Sequence, residues 1–514
     1  MERGLKLFLP GPTEDELQAF MAVLRLARQL GYDFVMLELG GAMEYRRHPE
    51  INAAWVKYAA FMNEFPGKAQ LIQNSQRWAK NSIHTDNGHG LFLTQEQLRQ
   101  IVAFCVECGL EIVPEVPTLS HSDYLLLAHP ELAERPEDPY PDSACPLHPD
   151  YFPLVEDILD EVIALFAPRR INIGHDEAYT LGKCPRCKGH ATTQLYADEI
   201  NRLAGWLRGR GVKTMMWAEK LLDAHFMNGD AIGGAAIPAT AKYEGREALY
   251  PCGELLDKEI QMLHWYWGID RRFEKRYAEL GLDYWFGNFD GPQRMPEMAR
   301  RLAAPHCRGF VVSNWGPPEL ISMQRNGVLY SLFYAAMATD GKHDPDDYDT
   351  LDAQVRQALF EFCRPQGECL EVVHTTHTSQ KFHYFYDGCY LDERSYRMGD
   401  HIFEDEEGRQ YRLPVVFGRH LSNDACVFGR RPDPTGHYDN YKVDEQLIEA
   451  TGTSMPFQGE DGRVFYRTCY PHPAPGRKLR HVRFEPASVF VPAVEAVGIN
   501  ETTAGVTMDA IFTP

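Results

Sequence analysis

Ile171-Asn172-Ile173-Gly174-His175-Asp176-Glu177-Ala178 is an apolar run that becomes acidic only at its last residues. A strand covered on both faces has this form, because it stays apolar until it reaches the rim of its sheet. Seven further runs of strand length share it: Gly4–Pro10, Asp33–Gly40, Glu111–Pro117, Thr214–Glu219, Gln261–Trp267, Asp283–Phe289 and Gly309–Trp315. Amphipathic stretches lie between most of them, among them Glu14–Gly31, Thr94–Gly109, Tyr151–Phe166 and Thr193–Gly211, and three end in glycine, the residue that takes a left-handed C-terminal cap without a Cβ penalty. Eight such units predict an α/β chain built on a (β/α)₈ barrel. A doubly wound open sheet is the alternative, but no glycine-rich phosphate fingerprint follows the first run.

The barrel is predicted over residues 1–345, with a helix at Asp344–Phe362 closing it. Residues 346–514 are predicted to form a helical connector and an all-β sandwich, on aromatic and β-branched runs such as Lys381–Tyr386, Tyr411–Phe417, Arg463–Cys469 and His481–Phe484. The 514 residues suit two or three domains. A net charge of -21 opposes nucleic acid or an anionic membrane as main partner. The N-terminus has no signal-like apolar stretch, and twelve scattered cysteines suit a reducing compartment, so the expected location is cytoplasmic.

Barrel chemistry sits where strands end. The third run presents Glu115 and His121, the fourth His175, Asp176 and Glu177, and the fifth Trp217 and Glu219. The sixth presents His264, Trp265, Tyr266 and Trp267, the seventh Tyr284, Trp285, Asn288 and Asp290, and the eighth Asn314 and Trp315. Carboxylates thus gather on one side and indoles on the other. Sugars ask for that combination, since their CH faces stack on indole and their hydroxyls need polar partners.

The segment INIGHDEA resembles the His-x-Gly-x-Asp-Glu signature of glycoside hydrolase family 20, the β-N-acetylhexosaminidases. FLTQEQLRQIVAFCVECGLEIVPEVPTLSH and MMWAEKLLD are similar to the segments around that family's third and fifth strands. The resemblance implies a retaining exo-β-N-acetylhexosaminidase acting on GlcNAc or GalNAc by substrate-assisted catalysis. Glu177 would be the general acid and then base, and Asp176 would orient the 2-acetamido group. Two neighbouring carboxylates that diverge at a strand end suit this division, and burial with mutual repulsion is expected to raise one of their proton affinities. Trp217, Trp285 and Trp315 would wall the acetamido pocket, with Tyr266 or Tyr284 on its oxygen. Glu115, His121, His175, Glu219, Trp265 and Trp267 would complete the substrate site, and Glu44 and Asn288 would hold sugar hydroxyls.

Departures from the family pattern are the missing arginine after the first strand, Asn172 in place of the signature histidine, His175 in place of a small residue, the missing strand-3 aspartate and the missing preceding α/β domain. The resemblance implies chemistry that needs no cofactor. Cys184-Pro-Arg-Cys187 has half-knuckle spacing for a structural zinc, with Cys145 as third ligand and His148 or His190 as fourth. The expected partner is an N-acetylhexosamine-terminated glycan, with no nucleic acid and no membrane; a homo-oligomer stays open. Two other readings remain: a metal-dependent sugar isomerase holding Mg²⁺ or Mn²⁺ on Glu115, His175, Asp176, Glu177 and Glu219, and a non-catalytic glycan-binding protein.

Overall fold

The computed structural model describes residues 1–377, 397–428, 447–448, 454–488 and 494–503, apart from positions 66, 77, 79, 227, 241–243, 290–294, 296, 326, 418, 422 and 426. The run Lys381–Tyr386 therefore lies outside the described residues. The chain divides into two compact units. Met1–Phe289 and Met295–Glu319 belong to the first, and the described residues from Leu320 onward to the second.

The first unit is a closed parallel barrel. Its strands are β1 (Glu2–Phe8), β2 (Phe34–Glu38), β3 (Glu111–Glu115), β4 (Arg170–Asn172), β5 (Lys213–Trp217), β6 (Gln261–His264), β7 (Tyr284–Phe286) and β8 (Cys307–Ser313). Each pairs with the next in sequence, and β8 closes onto β1. Right-handed parallel crossovers need helices outside the sheet, and the amphipathic stretches supply them. Helix Gln95–Cys108 starts on a reciprocal Thr94–Gln97 capping box and stops at Gly109, whose φ of 73° is left-handed.

Two layers of side chains inside the barrel decide where chemistry is possible. At the strand starts, Arg170 donates to Glu2 and Glu111 and lies over the rings of Phe34 and Trp285. Above this plug, Met36, Val113, Met215, Leu263 and Val311 pack with Trp217 into an apolar core. The register then sets Phe8, Glu38, Glu115 and Asn172 side by side at the ends of β1 to β4. The polar mouth begins there.

The second unit holds helices Leu320–Arg325, Val328–Ala338 and Tyr348–Cys363 and two antiparallel sheets. One sheet comprises β9 (Glu368–Thr376), β12 (Ser454–Gln458), β13 (Val464–Pro471) and β15 (Val494–Thr503), and the other β10 (Arg397–Asp405), β11 (Gln410–Val416) and β14 (Leu479–Pro486). Leu370, Val372 and Tyr470 of the first sheet share a core with Phe403 and Leu413 of the second. The helix predicted to close the barrel spans Tyr348–Cys363 and belongs to this unit, which begins at Leu320 rather than near residue 346. No helix among the described residues is long and apolar enough to cross a membrane.

Candidate active site

β4 stops at Asn172, five residues short of Glu177. The chain then leaves the sheet through a strained turn: Gly174, His175 and Glu177 have φ of 78°, 80° and 53°. Side chains rarely adopt such angles, and they persist only where the surroundings hold them. Here they do. A Cβ on Gly174 would lie 3.0 Å from Pro117 Cα. The His175 ring contacts the Ile173 carbonyl at 3.0 Å and Glu199 at 2.5 Å, and Tyr196 donates to its own carbonyl. The Glu177 N–H donates to Glu219 Oε1 at 2.8 Å.

This turn aims both carboxylates at one imidazole. His121 follows β3 and also has a left-handed φ, 49°. Its Nε2 lies 3.2 Å from Asp176 Oδ2 and 3.3 Å from Glu177 Oε2. Burial alone would raise both acids, but the His121 imidazolium overrides it and holds both below the usual carboxylate range. Burial likewise opposes charge on His121, yet Asp176 and Glu177 hold it well above the usual imidazole range. The expected raised acid is thus corrected: a cation stands between the two charges. Glu177 also accepts from the Tyr179 hydroxyl at 3.0 Å and from the Ser82 N–H at 3.4 Å.

A second group of charges lies deeper. Lys6 Nζ, fully buried, pairs with Glu38 at 2.5 Å and stands 3.4 Å from the centre of the Trp315 ring. Glu115 accepts from Trp217 Nε1 at 2.6 Å. Burial pushes its carboxyl up to about 8, against the pull of Lys6. His84 lies 5.5 Å from Trp315, nearly parallel to it. Burial and the neighbouring cations His121 and Lys6 take its imidazole down to about 3, so this ring is neutral.

The sequence-predicted residues fall into two groups. Glu115, His121, Asp176, Glu177, Trp217, Trp265, Asn288 and Trp315 gather at the mouth. Trp265 donates to Glu219 Oε2 and Trp315 to Asn288 Oδ1. Glu219 is fully buried and already engaged by Trp265, the Glu177 N–H and Lys220, so it positions its neighbours. Tyr266 sits beside Trp265, with ring centres 4.4 Å apart.

The other group lies elsewhere. Trp285 donates to Glu2 at the opposite end of the barrel, so it cannot wall a pocket at the mouth. Tyr284 packs with Tyr277 of helix Phe273–Leu280. His175 is fully buried against Glu199 of helix Thr192–Arg208. Trp267 is buried on the Gly287 carbonyl. Glu44 accepts from the Gln95 N–H at a helix start and pairs with Arg46. Asp290 lies outside the described residues.

Sequence reasoning missed Lys6, Glu38, Ser82, His84 and Tyr179. A lone lysine inside the apolar run Gly4–Pro10 was the available signal for Lys6. The groups whose ligand atoms converge within 4.8 Å, among the described residues, are Glu134–Cys145–Cys184–Cys187 and His48–Glu50–His129. The five residues of the isomerase reading do not form such a group, because His175 and Glu219 are turned to other partners.

A closed parallel barrel whose C-terminal mouth holds two carboxylates on a shared imidazole, with indoles around them, defines a barrel protein built for acid–base chemistry. Residues 57–235 match the glycosyl hydrolase family 20 catalytic domain. The matched stretch runs through β3, β4 and β5 of the barrel. A beta-hexosaminidase of Vibrio furnissii is 31% identical over 147 residues, 26% of this chain and 23% of that protein. One of Akkermansia muciniphila is 25% identical over 175 residues, 30% of this chain and 35% of that protein. The chain thus spans about a third or less of these relatives. The solved beta-N-acetylhexosaminidase from Bacteroides fragilis is 18% identical, with 62% of each chain covered and a TM-score of 0.44.

Proposed function

We propose that the chain is a retaining exo-β-N-acetylhexosaminidase that removes terminal GlcNAc or GalNAc with help from the substrate's own 2-acetamido group. The observation carrying this reading is the ion triad, with His121 Nε2 3.2 Å from Asp176 and 3.3 Å from Glu177 at the mouth of the barrel. Asp176 accepts the acetamido N–H and turns the carbonyl oxygen toward C1. Glu177 gives a proton to the glycosidic oxygen as the C1–O bond breaks, and the carbonyl oxygen closes an oxazolinium ring on C1. Glu177, now a carboxylate, takes a proton from water while the water oxygen attacks C1 and reopens the ring. Family 20 is a recognised exception to the two-carboxylate scheme in this respect.

The triad supplies what the acid needs. Its resting form has one proton on His121 between two carboxylates, and shifting that proton across 3.3 Å gives protonated Glu177 with the same total charge. The Lys6–Glu38 pair lies against Trp315, which donates to Asn288, and these groups suit a ring's hydroxyls and CH face.

Nitrophenyl glycosides of GlcNAc, GalNAc, glucose and galactose test the reading. Only the two acetamido sugars should turn over, Glu177→Gln should abolish cleavage of a matching alkyl N-acetylhexosaminide, whose poor leaving group needs the acid, and Asp176→Asn should cost about 10²- to 10⁴-fold in kcat with the fold intact. Cleavage of plain glucosides at the same rate would refute acetamido assistance.

A further inference from the structure

We propose that Glu134, Cys145, Cys184 and Cys187 form a tetrahedral zinc site that ties the loop after β3 to the loop after β4 beside the acid pair. The four residues are buried, at 1%, 1%, 4% and 0% exposure. Cys145 Sγ lies 3.3 Å from Cys184 Sγ and 3.5 Å from Cys187 Sγ, and a Glu134 carboxylate oxygen joins them within 4.8 Å. A disulfide needs about 2.05 Å between sulfurs, whereas a tetrahedral zinc with bonds of about 2.3 Å spaces its sulfurs by about 3.8 Å. The observed spacing lies near the second geometry.

Two further observations point to a ligand. Glu134 Oε2 is held by the N–H groups of Lys183 and Cys184, at 2.8 and 2.7 Å, which orients the carboxylate. Its Oε1 is buried without a hydrogen-bond partner. A carboxylate oxygen left so beside three sulfurs is costly unless a cation meets it. The segment Cys184–Cys187 also has the form of a knuckle: the Cys187 N–H donates to Cys184 Sγ, and the Lys188 N–H to the Cys184 carbonyl. Three soft sulfurs with one oxygen select zinc over Mg²⁺ or Ca²⁺. The fourth ligand is therefore Glu134. His148 instead uses its Nδ1 to accept from the Asp150 N–H, and His190 is exposed.

All four positions come from protein, so the metal has no open place for substrate and the site is structural. Its consequence is mechanical. Glu134 and Cys145 lie on the segment that begins at His121. Cys184 lies five residues beyond Tyr179, whose hydroxyl holds Glu177. The inference does not depend on the reaction proposed above.

Tag-free protein should contain about one zinc per chain by plasma mass spectrometry, and X-ray absorption should find three sulfurs near about 2.3 Å and one oxygen near about 2.0 Å. An organomercurial should release the zinc, and chelation should lower Tm in a way that added zinc reverses. Cys184→Ser should lose the metal. Should that variant fail to fold, Glu134→Gln, which keeps an acceptor for the two backbone donors, decides: reduced zinc occupancy with a native circular-dichroism spectrum supports the site. Wild-type protein that is metal-free and gains no Tm from equimolar zinc overturns the proposal. So does absorption data showing a disulfide, or iron as the bound metal.

Discussion

Replacing His121 by Asn removes the cation shared by Asp176 and Glu177 while keeping a polar side chain of similar reach. Each contact, at 3.2 and 3.3 Å, has a gross attraction of about 5 kcal/mol at an effective dielectric of about 20. Desolvation offsets much of that, since the three side chains are only 11%, 14% and 18% exposed. Removing one partner of such a buried cluster costs about 3–5 kcal/mol. For a barrel of this size, at about 2 °C per kcal/mol, that is about 6–10 °C of Tm. The pH dependence is the sharper test. Asp176 and Glu177 are held below their ordinary values, so their stabilisation is complete above about pH 4.5 and is lost as pH falls through the folded values. His121 is held above its ordinary value, so its share is complete below about pH 6.5 and is lost as pH rises through the folded value. The Tm gap between wild type and His121→Asn should be widest between about pH 4.5 and 6.5 and should narrow on both sides. Thermal melts across pH 3–9 measure it, and the acid limb of kcat/KM should move to higher pH in the variant. A gap that stays constant with pH would refute the triad.

Trp315→Ala and Trp285→Ala should separate the two ends of the barrel. Loss of Trp315, at the mouth, should raise KM for aryl N-acetylhexosaminides, whereas loss of Trp285, bonded to Glu2, should cost about 3–5 kcal/mol of stability in urea melts with KM nearly unchanged. Glu115→Gln reports on the buried acid raised to about 8. The wild type should lose stability relative to this variant as pH rises from about 4.5 toward 8, because the unfolded chain releases that proton first. A Tm difference that is flat across that range would show Glu115 ionised throughout.

Most of the barrel was legible because its cause is local. Eight apolar runs ending in polar residues, with amphipathic helices between them, leave few other ways to bury both faces of a sheet. The sequence run Ile171–Glu177 led to the Asp176–Glu177 pair, but the strand itself ends at Asn172 and the two carboxylates stand on the turn beyond it. What escaped was direction. Trp285 and Trp315 both belong to late apolar runs, yet Trp285 lies within β7 and is sent to the Glu2–Arg170 plug, whereas Trp315 lies two residues past the end of β8 and stays at the rim. Tyr284, adjacent to Trp285, faces the helices instead. A strand of three residues gives the sequence no phase from which to read such choices. Lys6 and Glu38 were missed because each stands inside an apolar run, and only their pairing across β1 and β2 makes either tolerable in a barrel interior.

The same local reasoning explains why the acid pair faces an unexpected partner. Along a regular strand, Asp176 and Glu177 would point to opposite sides and meet different surroundings. β4 ends at Asn172, however, and the left-handed angles at Gly174, His175 and Glu177 reset that alternation. Both carboxylates can then reach one nitrogen of His121, and their interaction changes from mutual repulsion to attraction through a shared cation. An acid made this way does not need a raised proton affinity at rest. It needs a proton held within reach and a bound sugar that excludes water, because a drier site penalises the three-charge form more than the form with neutral His121 and protonated Glu177. In the proposed reaction the strained turn at the end of β4 is tied to the chemistry, since it brings both carboxylates to His121 of the segment after β3.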